Sequence, residues 1–146
     1  MIAEMSAAIA SGQHFNNKMN KDDKSFQQKA NEYARLSIDG IKGMLKKAKS
    51  KNEEKAEEGQ TEIEEDPLEI ATGQNFDGTR TYMILLGTGG PAARIIGELD
   101  EYDEPETAVF QFQDWFEPWT PSEYIPEDEK IMIEYARHFY FEKTEK

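Results

Sequence analysis

The apolar residues of the chain are concentrated in short runs between Thr81 and Phe116. Each run is rich in Ile, Val, Tyr or Phe and is bounded by Gly, Pro or Asp clusters, which is typical of strands joined by tight turns. The three runs are Tyr82–Leu86, Ala92–Leu99 and Thr107–Phe112. They predict a three-stranded antiparallel meander as the core, and Leu68–Ala71 is either a fourth strand or a helical turn.

A helical pattern precedes this region, from Asp22 to Lys49. One face of the predicted helix carries apolar residues at steps of three or four, namely Phe26, Ala30, Tyr33, Ile41, Met44 and Ala48. The stripe is widened by Leu36, Ile38 and Leu45. Two glycines, Gly40 and Gly43, interrupt the pattern and predict either a close helix crossing or a break near Asp39–Gly40.

A second helical pattern begins at Pro126, has three acidic residues in its first turn, and runs to about Phe141. Between the first helix and the meander, Ser50–Asp66 is dense in Glu and nearly free of apolar residues, which predicts a flexible acidic linker, with a helical beginning as an alternative. The predicted fold class is therefore α+β. An antiparallel meander packs against a C-terminal helix and is preceded by a long amphipathic helix, with segments 1–49, 50–66 and 67–146.

Composition narrows the function classes further. Hydrophobic residues make up 37% and charged residues 32% of the 146 residues, and there is no Cys. With no secretory signal and no apolar run long enough to span a bilayer, the sequence favours a cytoplasmic protein without a membrane partner.

The charge is distributed unevenly along the chain. Residues 1–52 hold ten Lys/Arg and five Asp/Glu, a balance of +5, whereas residues 53–146 hold seven Lys/Arg and twenty-five Asp/Glu, a balance of −18. Such an acidic part repels nucleic acid and attracts a basic surface.

No pattern in the sequence predicts catalysis or a cofactor. The segment Gly87–Pro91 follows a strand, but a phosphate loop needs a helix behind it, and a strand-like run follows instead. Glu134 and His138 lie four apart on the last helix, and two ligands do not make a zinc site. No nucleophile lies in a recognisable relation to a base. The sequence predicts a protein that is not an enzyme and holds no metal.

The stretch TGGPAARIIGELDEYDEPETAVFQFQDWFEPWT, followed by YARHFYF, resembles an uncharacterised family of small proteins of bacteriophages and mobile elements. The resemblance covers residues 81–141 and rests on the short sequence motifs TGGPA, QDW and PW. It implies a phage or plasmid setting and brings no assigned reaction or catalytic residues.

These observations lead to a function hypothesis. The protein would inhibit a host defence nuclease, as an anti-CRISPR or anti-restriction protein, by occupying a basic nucleic-acid-binding surface on that host protein. The predicted contact residues are the acidic hairpin and the aromatic segment behind it, because acidic groups suit a basic partner and Trp is enriched at interface hot spots. They are Glu98, Asp100, Glu101, Asp103, Glu104, Glu106, Trp115, Glu117 and Trp119.

Two alternatives remain at this stage. The first is a small accessory enzyme whose pocket lies between the sheet and the last helix, with Arg94, Glu134, Arg137 and His138 as its polar residues. The second is a homo-oligomeric structural module, for example a homodimer, that pairs through the last helix or an edge strand.

Overall fold

A computed structural model describes residues 25–89, 91–114, 117–123 and 126–141. This part of the chain has an α+β fold with three helices and a five-stranded antiparallel sheet, which confirms the predicted fold class. The elements in chain order are α1 (Phe26–Ala48), α2 (Glu53–Glu65), β1 (Glu69–Gln74), β2 (Arg80–Gly87), β3 (Ala92–Glu98), β4 (Val109–Gln113), β5 (Thr120–Pro121) and α3 (Pro126–Ala136).

Helix α1 begins at a capping box. The Ser25 hydroxyl accepts a hydrogen bond from the Gln28 N–H, and the Gln28 side chain accepts one from the Ser25 N–H. The buried stripe of the helix is Ala30, Ala34, Ile38, Ile41 and Leu45. Leu36, which was expected to widen the apolar face, is 75% exposed, so that expectation is wrong. Asp22, where the sequence predicted this helix to begin, lies outside the described residues.

Residues 50–66 were predicted to be a flexible linker with at most a helical beginning, but they contain the 13-residue helix α2, which spans most of the segment. The Asn52 side chain caps this helix by accepting from the Lys55 N–H at 3.2 Å. Only two residues of α2, Gly59 and Ile63, are buried, and they lie four apart on the face that packs against α1. A short apolar face is therefore enough to dock a helix whose composition is otherwise solvent-exposed.

The sheet is a meander in which the strand order is the chain order, β1-β2-β3-β4-β5. The sequence predicted its three central strands and left Leu68–Ala71 as a strand or a helical turn; the structure shows the strand, β1, and adds β5 at the other edge. The two-residue strand β5 includes Pro121, within a segment that was predicted to be a loop. A proline is compatible with this position because an edge strand has one side without ladder partners.

One face of the sheet is covered and forms the core with the helices. Across the three central strands, Ile84, Ile95 and Phe110 lie in register and are fully buried. The same hydrophobic cluster includes residues of all three helices, such as Ile38, Ile63 and Met132. Helices α1 and α2 thus share one core with the sheet.

The other face of the sheet carries half-buried side chains at its centre, and it is called the open face below. Its middle row runs in register across four strands as Ala71, Met83, Ile96 and Val109. The neighbouring row contains Arg94 and Gln111.

Helix α3 is connected to the rest of the molecule by polar contacts as well as by its buried face. The Arg35 guanidinium of α1 donates two hydrogen bonds of 3.2 Å to the Asp128 carboxylate. The Tyr135 hydroxyl donates to Asp66 Oδ2 at 2.6 Å, which joins α3 to the end of α2. No helix in the described part of the chain is long and apolar enough to cross a membrane.

Candidate functional site

The acidic segment between β3 and β4 folds into a tight loop. The Asp100 N–H donates to the Glu104 carbonyl at 2.8 Å, and the Asp103 N–H donates to the Asp100 carbonyl at 3.0 Å. Asp103 has a φ of 62°, in the left-handed region that Asp tolerates better than most residues. Leu99 and Pro105 form an isolated antiparallel bridge that closes the loop.

Two of the predicted contact residues are used inside this loop. Asp100 Oδ1 accepts hydrogen bonds from the backbone N–H groups of Tyr102 and Glu104, at 2.8 and 3.0 Å. The Asp103 carboxylate forms an ion pair with the Arg80 guanidinium. These two carboxylates therefore hold the loop in shape and have less capacity left for a partner.

Four other predicted carboxylates remain exposed. Glu98, Glu101, Glu104 and Glu106 form no ion pair within the described residues. Between them, Tyr102 is 77% exposed at the loop tip. This loop therefore presents an aromatic ring among several acidic groups.

A second hairpin, between β1 and β2, presents another aromatic residue. The Asn75 N–H donates to the Thr79 carbonyl at 2.8 Å, and the Gly78 N–H donates to the Asn75 carbonyl at 3.0 Å. Gly78 has a φ of 92°, which a residue with a Cβ adopts only with strain. Phe76, at the tip, is fully exposed.

Hydrogen bonds also hold the Asp77 side chain in this turn. The Thr79 N–H donates to Asp77 Oδ1 at 2.9 Å, and this hydrogen bond lowers the pKa of the Asp77 carboxyl. The turn therefore presents Phe76 beside an ionised carboxylate.

The two hairpins lie side by side at one end of the sheet. The Leu99 N–H donates to the Arg80 carbonyl at 2.8 Å, and the Arg80 side chain reaches Asp103 in the neighbouring loop. We call this end the two-hairpin surface. It consists of Phe76, Asp77, Glu98, Glu101, Tyr102, Glu104 and Glu106.

Trp119, another predicted contact residue, lies at the opposite end of the strands, beside Arg94. The Trp119 ring packs against Arg94, whose Cζ atom is 4.0 Å from the ring centroid. Arg94 and Glu98 are four residues apart on β3, which is about 13 Å in an extended strand. Glu117 is half-buried in the segment before Trp119, and Trp115 lies outside the described residues. The predicted set is thus divided between two ends of the sheet.

The sequence analysis did not single out Phe76, which the structure shows to be an exposed aromatic residue, and it named Trp119 among the predicted contact residues. The sequence did contain a signal for the exposure of Phe76, because Asn75-Phe76-Asp77-Gly78 is a turn sequence. An aromatic side chain at the tip of a hairpin turn has few neighbours to pack against. What the sequence could not show is which aromatic side chains are covered.

The residues of the enzyme alternative do not converge in the structure. Arg94 lies on the open face, whereas α3 contributes to the core on the covered side. Glu134 forms an ion pair with Lys49 at 2.6 Å, and Arg137 donates to the Pro105 carbonyl at 3.1 Å. Within the described ranges, no group of three or more His, Asp or Glu side chains is placed to hold a metal ion.

Comparison with known proteins adds no assignment, since no protein-family model, curated protein or solved structure matches the chain. The functional argument therefore rests on the geometry above.

Proposed function

We propose that the protein is a binding protein that attaches to a basic surface of a partner protein through its two-hairpin surface. The observation that carries this proposal is the exposure of Phe76 and Tyr102 on two hairpins that are joined to each other. Aromatic side chains are enriched in the buried centres of interfaces, where they supply contact area at low entropic cost. A rigid support for both rings lowers that cost further.

The charges around the two rings indicate the kind of partner. Besides the acidic groups of the two-hairpin surface, the outer face of α2 elsewhere on the molecule carries five exposed glutamates that form no ion pair within the described chain. They are Glu53, Glu54, Glu57, Glu64 and Glu65. Charge of one sign over such an area speeds the approach of an oppositely charged partner and repels nucleic acid.

The partner class that fits these charges is a nucleic-acid-binding protein. Its phosphate-binding surface is basic, and an acidic protein bound there would block access of DNA or RNA. The resemblance to phage and mobile-element proteins suggests a host defence nuclease, which would make this chain an anti-CRISPR or anti-restriction protein.

The proposal is tested with purified defence nucleases of a phage host, by measuring their affinity for the protein and for DNA. We expect binding that competes with DNA and that weakens strongly between 0.1 and 0.5 M salt, because added salt reduces the Debye length from about 10 Å to a few ångströms. Binding that persists unchanged at 0.5 M salt would contradict the electrostatic part of the proposal. Binding without competition would contradict the blocking mechanism.

The aromatic anchors are tested with two variants and a control. Phe76→Ser and Tyr102→Ser should each weaken binding by about tenfold or more, which is the effect of losing a hot-spot side chain. Leu36→Ser is the matched control, because Leu36 is 75% exposed and lies on helix α1, outside the two-hairpin surface. Equal affinity for all three variants would exclude this surface as the contact site.

A further inference from the structure

The open face of the sheet forms a groove of about 520 Å³. Its floor is the apolar row Ala71, Met83, Ile96 and Val109, and it extends from Arg94 to Glu98 along β3. A volume of this size is within the range of small-molecule sites, which combine an apolar lining with a few fixed polar groups. The groove shares Glu98 with the two-hairpin surface, but neither Phe76 nor Tyr102 lines it.

Arg94 is the fixed polar group at one end of this groove. Its Nε–H donates to Gln111 Oε1 at 2.7 Å, and its guanidinium lies 4.0 Å from the centroid of the Trp119 ring. The hydrogen bond to Gln111 holds the guanidinium group at its edge, and the Trp119 ring stacks on its face. Together the two contacts fix the orientation of the guanidinium plane. The two terminal nitrogens, Nη1 and Nη2, have no hydrogen-bond partner among the described residues.

Partial burial without an ion pair distinguishes Arg94 in this acidic molecule, since Arg137, which also forms no ion pair among the described residues, is exposed. Arg35 and Arg80 each pair with a carboxylate, whereas Arg94, which is half-buried, pairs with none in the described part of the chain. Burial lowers the pKa of the Arg94 guanidinium, since the surroundings solvate its charge less well than water does. A charge held in this way costs free energy that an anion beside it would offset.

We propose that the groove binds a small organic monocarboxylate with an apolar body. The carboxylate would accept two hydrogen bonds from Nη1 and Nη2 of Arg94, because the two planar groups match in geometry. The apolar body would lie along Met83 and Ile96, one row further along the sheet.

The charge and length of the groove restrict the ligand further. A phosphate monoester with two negative charges would leave one charge unbalanced beside a single arginine, in a molecule whose net charge is −13. The distance along β3 from Arg94 to Ile96 is about 7 Å, and the distance to Glu98 is about 13 Å. Glu98 therefore closes the far end of the groove to a second anionic group and limits the length of the apolar body.

The experiment is an NMR titration of the ¹⁵N-labelled full chain with octanoate, with octan-1-ol as the uncharged comparison. Octanoate should shift the backbone amide signals of Met83, Arg94 and Ile96, and octan-1-ol should bind more weakly. In Arg94→Gln the affinity for octanoate should fall by about 10- to 100-fold, the effect of losing a charge-assisted bidentate pair. The affinity for octan-1-ol, which is weaker, should be the same in Arg94→Gln and the native chain.

Arg137→Gln is the matched control, because Arg137 is exposed, donates to the Pro105 carbonyl and is not among the residues that line the groove. It should bind octanoate as the native chain does. Equal affinity of Arg94→Gln and the native chain for octanoate would overturn the proposal. The proposal would also be overturned if octanoate shifted only amide signals from other parts of the molecule. This second test uses the native chain alone, so it does not depend on the folding of a variant.

Discussion

At the scale of single residues, the closest approach between two helices depends on Gly59. A methyl group at this position would lie 2.4 Å from the Ala48 backbone nitrogen and 2.8 Å from its Cα. Backbone atoms cannot move aside as a flexible side chain can, so the crossing of α1 and α2 requires glycine here. The two glycines of α1 that the sequence analysis expected at a crossing or a break, Gly40 and Gly43, have no heavy atom within 4 Å of their missing Cβ. The helix continues through both.

This contrast predicts opposite effects of the same substitution. Gly59→Ala should lower the free energy of unfolding by about 1–3 kcal/mol, the usual cost of overpacking, in spite of the better helix propensity of alanine. Gly40→Ala should raise it by up to about 1 kcal/mol, because the propensity gain is not opposed by a clash. Urea unfolding of the two variants beside the native chain measures both effects. An increase for Gly59→Ala would show that α1 and α2 do not cross this closely.

At the scale of elements, helix α2 shows why composition misled the sequence analysis. The segment is dominated by glutamates, and its packed face has only Gly59 and Ile63 as buried residues, so its mean polarity is that of a linker. Local signals were nevertheless present: Asn52 at the N-cap position, followed by Glu53 and Glu54 in the first turn. The strands β2, β3 and β4 could be predicted because each carries several apolar residues in one run.

If α2 is an integral part of the fold, its single large apolar side chain must contribute to stability. Ile63 is fully buried, so Ile63→Ala should lower the free energy of unfolding by about 2–5 kcal/mol. The control is Thr61→Ala, an exposed position on the same helix, where we expect a change within about 0.5 kcal/mol. Equal stability of the two variants in urea unfolding would show that α2 does not pack on the core and that residues 50–66 act as a linker.

At the scale of the whole molecule, the sequence predicted the fold class and the acidic hairpin, but it did not predict how the contact residues are distributed. Strand direction decides that distribution: the β1–β2 and β3–β4 connections lie at one end of the sheet, and the segment containing Trp119 lies at the other. Exposed and covered aromatic residues also look alike in a sequence. Phe76 and Trp119 could be distinguished only once Arg94 was seen to cover one of them.

The stability of the whole molecule should fall at alkaline pH. The buried Tyr82 and Tyr135 hydroxyls donate to the Thr107 carbonyl and to Asp66. Burial raises the pKa of both hydroxyls, and the adjacent Asp66 raises that of Tyr135 further. Tyrosines of the unfolded chain release their protons near pH 10. Above that pH the folded state holds more protons than the unfolded state, so the contribution that is complete below pH 10 is lost as pH rises.

Each tyrosine should contribute a slope of up to about 1.4 kcal/mol per pH unit to the free energy of unfolding above pH 10. Urea unfolding between pH 8 and 11 measures this slope, and Tyr82→Phe or Tyr135→Phe should each reduce it. Tyr140→Phe is the control, since that side chain is exposed. A slope that Tyr82→Phe and Tyr135→Phe leave unchanged would contradict the assignment.

The order of the strands has a consequence for the entropy of chain closure. Because every strand pairs with its neighbour in sequence, the sheet is assembled from short loops, and none of its pairings requires a crossover connection. The entropic cost of closing a loop rises with its length, so the sheet itself is inexpensive to close. The long closure lies elsewhere: Gln27 at the start of α1 donates to the Pro121 carbonyl in β5, across 94 residues. Among the polar contacts described above, the one that joins α1 to the far edge of the sheet therefore closes the longest loop and has the largest entropic cost of closure.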